Sequence, residues 1–174
     1  LGLPMEQFVG FKPWFLAVTL TTLELQRLGF SPGNGIDVHY YGRARSDQKE
    51  IGFFESIDYQ LELLGNMSAD DQNAFLGQTL KDLEIAAEMA DDMMRYWQKG
   101  QIDKLYSLLF KSFEDYPKME NRLLLQRNKD WVKKIEIMLA ESENIFIVVG
   151  AGHLVGPRSV VALLRQKGYK VKQR

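Results

Sequence analysis

The first residue that could do chemistry is His153, in the stretch IFIVVGAGHLVG spanning residues 145–156. An apolar run of strand type breaks into glycines there and delivers an imidazole. A neutral imidazole ligates metals and exchanges protons near neutral pH, and α/β sheets place ligand chemistry just past the carboxyl end of a buried strand. The plain alternative is a histidine bonded to a backbone carbonyl that merely holds its loop. Gly150-Ala151-Gly152 also invites a dinucleotide reading, with glycines letting a pyrophosphate approach a helix N-terminus. The spacing excludes it. Val155 stands where the third glycine belongs, Gly156 comes one residue late, and Tyr169-Lys170-Val171-Lys172 offers no acid to a ribose.

Glu55 is the second candidate, a carboxylate directly after the apolar run IGFF. The third is an anomaly in the helix predicted from Pro117 to about Ala140. Leu123, Leu124, Trp131, Ile135 and Met138 form one apolar stripe at i, i+3, i+4 spacing, and Arg127 and Asn128 fall on it. A guanidinium is not buried without an anionic partner. Arg127 therefore either snorkels outward on its aliphatic stem or pairs with an internal carboxylate, for which Glu55 and Asp37 are the candidates. Met89, Met93 and Met94, with Ile85 and Trp97, read as core or as a helix-contact face. His39 has no companion motif and reads as structural.

The elements that must position these groups follow from local signals. Pro13 opens a helix that Gly29 ends. SPGNGID is a turn cluster; VHYYGRARS fits helix or strand, since Val38, Tyr41 and Ala44 recur at helical spacing while Val38 and Tyr40 alternate, and the short helix is favoured. KEIGFFES, residues 49–56, suits a buried strand. Ser68 and Asp71 form a capping box at the start of an almost continuously helical stretch to about Ser142, punctuated at Gly100. IFIVV then reads as a strand, residues 158–167 as a helix and GYKVK as a final strand. The expected fold class is α/β, with a small mixed sheet, a large, mainly helical central region and a C-terminal β-α-β unit, in a single domain over residues 1–174.

Bulk properties narrow the rest. The 174 residues suffice for one domain with a sizeable core. With 22 basic and 23 acidic side chains the formal net charge is −1, so nothing points to nucleic acid as a general partner. The chain has no cysteine, which excludes disulfides, thiolate metal sites and cysteine nucleophiles. No apolar stretch approaches the roughly 20 residues of a membrane span. The opening Leu1-Gly2-Leu3-Pro4 reads as that of a trimmed product or a fragment of a longer protein.

The order of the pieces carries a resemblance. GFKPWFLAVTL, GFSPGNGID, KEIGFFESIDYQLELL, LLLQRNKDWVKKIEIML and IFIVVGAGHLVGPRSVVALLRQKGYKV, in that succession, resemble the TraB/GumN family, related to the Tiki membrane-associated metalloproteases. The most specific parts are Gly-x-x-His at 150–153, the His-Leu-x-Gly that follows, Leu-Leu-x-x-x-Gly-Tyr, and Arg127-Asn128. The resemblance implies an α/β domain related to the erythromycin-esterase/ChaN-like fold. It also implies a divalent metal (Mn, Co or Zn) held by two Gly-x-x-His motifs and a glutamate. Here Gly150 and His153 match the second motif, Glu55 the glutamate, and Arg127-Asn128 the polar pair of the late helix. The family's first Gly-x-x-His lies ahead of GFKPW, before this chain begins. The implied activity is a metal-dependent hydrolase, a peptidase by expectation, with a peptide or protein substrate. His153 and Glu55 would be ligands, and Glu55, Arg127 and Asn128 catalytic residues. The rival is a non-catalytic peptide-binding or metal- or haem-binding protein. The resemblance further implies a periplasmic or cell-surface location, and an unpaired strand edge would favour homo-oligomers.

Overall fold

Helix boundaries follow local chemistry closely. The computed structural model describes residue 2 and residues 4–173. Helix α1 (Pro13–Arg27) starts on its proline and is followed by Gly29 at φ +92°, a conformation that disfavours side chains bearing a Cβ. Helix α2 is Ile36–Ser46. Ser56 caps α3 (Ile57–Gly65) by accepting the Tyr59 N–H. Ser68 caps α4 (Ala69–Glu84) by accepting the Asp71 N–H. The reciprocal half of the box differs from expectation, because the Asp71 carboxylate accepts the Ser68 hydroxyl at 2.8 Å. Gly100, at φ +61°, separates α5 (Ala86–Gln98) from α6 (Ile102–Phe110).

The predicted late helix is one rod with an irregular turn. It comprises α7 (Pro117–Glu120), a π-helical turn Asn121–Leu125, and α8 (Gln126–Leu139). Ser159 caps α9 (Val160–Gln166) by accepting the Ala162 N–H. Helix α1 packs on α4, α5 on α6, and α8 on α9. The cluster beneath the site joins Trp131, Val132 and Ile135 of α8 to Val160 and Leu164 of α9, with Phe54, Val149, Leu163 and Val171 packed against it. Full burial of such a side chain contributes about 1.5–3 kcal/mol, so this cluster is a firm footing for α8.

The α/β expectation is overturned. The described residues contain no strand, so the mixed sheet and the C-terminal β-α-β unit are absent, and the fold is helical. Residues 49–56, 145–149 and 168–172 have strand-type sequences yet form no ladder. Apolar β-branched composition reports only that a segment suits a pleated, half-buried surface; a strand also needs a partner. Residues 145–149 make no backbone hydrogen bond among the described residues. Two carbonyls that a ladder would have used accept from side chains instead: Lys134 Nζ reaches Phe54 O at 2.5 Å, and Arg165 Nη2 reaches Val171 O at 3.1 Å. The methionine face also departs from a core reading, since Met94, Trp97 and Ile85 are exposed. No described helix is long and apolar enough to cross a membrane.

Candidate functional site

The carboxylate comes from the irregular segment ahead of α3. Phe54 stacks on Trp131 with ring centroids 5.1 Å apart and planes 15° apart. With the Lys134 contact to its carbonyl, that stacking fixes the segment against α8 and turns Glu55 towards the helix. Glu55 Oε1 accepts Arg127 Nε–H at 2.8 Å and Trp131 Nε1–H at 2.7 Å. Its Oε2 accepts Arg127 Nη2–H at 2.8 Å and Gln60 Nε2–H at 3.3 Å. The pair is bidentate, the strong form of this contact, and Glu55 and Arg127 side chains are only 7% and 15% exposed. Arg127 thus meets the carboxylate that its place on an apolar stripe requires. Glu55 fills that role, and Asp37 does not.

Burial alone would raise the Glu55 carboxyl. The Arg127 ion pair, with the Trp131 and Gln60 donors, outweighs burial and holds it below its ordinary value. Arg127 also donates through Nη1 to the Leu123 carbonyl at 2.8 Å, back across the π-helical turn. Such turns recur at functional sites.

The imidazole comes from the other side. Residues Ala151–His153 form a 3₁₀ turn in which the His153 N–H donates to Gly150 O at 2.9 Å. His153 Nδ1 lies 2.6 Å from Asn128 Oδ1, and the ring packs on Trp131 with centroids 4.2 Å apart. Burial, reinforced by the positive Arg127 and partly opposed by Glu55, lowers the His153 pKa to about 4. The ring is therefore neutral at pH 7. Nε2 makes no hydrogen bond among the described residues, yet it is not sealed from solvent. Trp14 Nε1 alone among the described side-chain nitrogens and oxygens is both sealed and unpartnered. Gly150 and Gly152 have ordinary negative-φ backbones here, and a Cβ at either would meet its nearest neighbour at 3.9 or 3.8 Å. Neither glycine is required by the turn itself.

Glu55, Arg127, Asn128 and His153 are thus brought together, and Trp131 joins them. It bonds the carboxylate, stacks against the imidazole and lies under the Arg127 guanidinium, 5.0 Å from ring centroid to Cζ. From its sequence position Trp131 reads only as an apolar stripe residue. The available signal was its i+4 position from Arg127, which puts both on one helix face. His39 is exposed and stacked edge-on to Tyr40, remote in role from this cluster.

The fit to a metal is poor with the residues present. Among the described residues no group of three or more His, Asp or Glu is arranged around a common point. Both Glu55 oxygens already accept two hydrogen bonds each, and one His153 nitrogen is taken by Asn128. Only Nε2 is left to offer an ion.

These features define a helical domain in which an ion pair, an indole and a neutral imidazole share one site. The chain belongs to the TraB/PrgY/gumN family, whose sequence profile matches residues 1–173. It is 26% identical over 165 residues to a protein of Escherichia coli (strain K12) described as uncharacterized protein YbaP, which covers 95% of this chain and 61% of that protein. It is 23% identical over 167 residues to a metalloprotease TIKI homolog of Nematostella vectensis, covering 79% of this chain and 35% of the relative. It is 33% identical over 151 residues to metalloprotease TIKI2 of Danio rerio, covering 71% and 29%. The chain therefore spans only part of the length of each of these relatives. No solved structure gives a significant match.

Proposed function

We propose that the protein acts as a peptide-bond hydrolase with His153 at the reacting centre. The observation that carries this reading is the solvent-touching Nε2 of a buried imidazole, backed by a carboxylate with all its acceptor positions filled. Similarity to relatives named metalloproteases supports the substrate class. An imidazole neutral down to about pH 4 is a weak store for protons but an available lone pair throughout the neutral range. It accepts a hydrogen bond from water, and a divalent ion such as Mn, Co or Zn would find only this one lone pair among the described residues. We assign Glu55 to positioning, because its lone pairs are spent on Arg127, Trp131 and Gln60. Arg127 holds Glu55, and Asn128 holds the imidazole.

Turnover of a peptide library by the wild-type chain and its His153→Ala variant, with each metal added separately, tests the proposal. Loss of a positioned proton acceptor costs roughly 10²–10⁴-fold; undiminished turnover would remove His153 from the mechanism. Elemental mass spectrometry on the same samples asks whether bound metal disappears with the imidazole. A second reading, peptide binding without cleavage, is favoured by one observation. A cleft of about 450 Å³, lined by Trp97, Leu105, Leu154 and Val155 among others, shares the 151–155 turn with His153. Retention of one library member without its consumption would select that reading.

A further inference from the structure

The side chain that faces His153 is itself oriented from the opposite end. Asn128 is 1% exposed. Its Nδ2 donates to the Arg158 backbone carbonyl at 2.9 Å, while its Oδ1 lies against His153 Nδ1. A carbonyl oxygen only accepts. The amide therefore cannot be flipped without setting two oxygens against each other in a buried place, an arrangement that costs free energy. With the amide so fixed, Oδ1 can only accept, and Nδ1 must carry the proton of the neutral ring. Nε2 is left with the lone pair.

The Arg158 carbonyl is held in turn. Its guanidinium pairs with Glu120 at 2.5 Å, and the Glu120 side chain is only 9% exposed. The turn carrying Arg158 is pinned on its other side by the Ser159 hydroxyl, which donates to Gly156 O at 2.8 Å. Gly156 sits at φ +88° with the Tyr106 ring where a Cβ would be. Neither the Glu120 nor the Arg158 side chain hydrogen-bonds to the imidazole.

We propose that Glu120 and Arg158 are positioning residues. Their ion pair anchors the Arg158 carbonyl, Asn128 relays that anchor, and His153 is locked as the Nδ1–H tautomer with Nε2 presented as the acceptor. This deepens the hydrolase reading and rests on it for the use of Nε2, but the tautomer is measured without turnover. The experiment is a long-range ¹H–¹⁵N correlation of the His153 ring in the full chain at pH 7, for wild type and the isosteric Glu120→Gln variant. The expected wild-type spectrum has a protonated, pyrrole-type Nδ1 and a pyridine-type Nε2. In Glu120→Gln a second set of ring signals with Nε2 protonated should appear, at an unchanged fold by backbone amide shifts. A wild-type ring protonated on Nε2 would overturn the proposal, as would a Glu120→Gln ring identical to wild type. The expected tautomers without any peptide turnover would leave the anchor standing and fail the hydrolase reading instead.

Discussion

Removing the Glu55 carboxylate should expose how much of the structure leans on it. Glu55→Ala leaves a guanidinium that is 15% exposed without its anion and the Trp131 N–H without its acceptor. Breaking a buried pair by removing one partner costs about 3–5 kcal/mol. The solvated edge of Arg127 favours the lower end, so a loss of roughly 3 kcal/mol is expected, against a total domain stability of about 5–15 kcal/mol. Urea unfolding at pH 7, followed by tryptophan fluorescence, reads this as a lowered midpoint at unchanged slope. Replacing both partners, as Glu55→Gln with Arg127→Met, should recover much of the loss, because no buried charge is then orphaned. The pH dependence has a definite sign. The folded carboxyl lies below its ordinary 4.5, so its stabilisation is fully present above that value and is lost as pH falls through the lowered one. The gap between wild type and Glu55→Gln should therefore be constant from pH 7 to about 5 and close in acid. A Glu55→Ala loss below about 1 kcal/mol, the worth of an exposed pair, would refute the claim that the site is built on this contact.

Other outcomes are equally checkable. His153 should remain unprotonated until pH approaches 4. Relative to His153→Gln, wild-type stability should decline as pH falls from 6.5 towards that value, because the unfolded chain takes the proton first; an NMR titration with a midpoint above 6 would contradict it. Gly156→Ala combines a strained φ with the Tyr106 ring and should destabilise by about 1–3 kcal/mol in thermal or urea unfolding. Gly152→Ala should leave the unfolding midpoint within about 0.5 kcal/mol of wild type, since only the Leu124 side chain lies near, at 3.8 Å. Any loss of activity in that variant would then be assigned to substrate room, and a large loss of stability would contradict the turn geometry.

What was legible in the sequence was local or obligatory. Pro13, Ser68, Gly100 and the approach to α9 announce helix ends through backbone chemistry that needs no tertiary partner. The demand of Arg127 for a carboxylate was legible too, because an arginine on an apolar stripe has few alternatives, and Glu55 was one of two candidates. Trp131 was not. Its indole N–H reads as incidental until the segment before α3 brings Glu55 within 2.7 Å. The sheet failed for the converse reason. IFIVV has the composition of a strand, but a ladder is a relation between distant segments, and helices α8 and α9 took the neighbouring carbonyls with Lys134 and Arg165. Glu120 and Arg158 carried no signal, since each acts through a second residue.

The π-helical turn at Asn121–Leu125 sets the angular phase of the rod. Glu120 and Asn128 both reach Arg158, one its guanidinium and the other its carbonyl, although eight positions separate them. In an uninterrupted α-helix eight positions advance about 800°, which leaves the two side chains about 80° apart around the axis. A single residue absorbed by a wide turn subtracts about 100° and brings them to within roughly 20° of each other. Deleting one residue from 121–125 would leave seven positions of plain α-helix, about 700°, and so keep that phase, whereas winding all the residues into a regular α-helix would swing Arg127, Asn128 and Trp131 about 100° away from Glu55 and His153. The wide turn acts as an idler gear: it takes up the spare residue and hands the phase of Glu120 on to Asn128 unchanged.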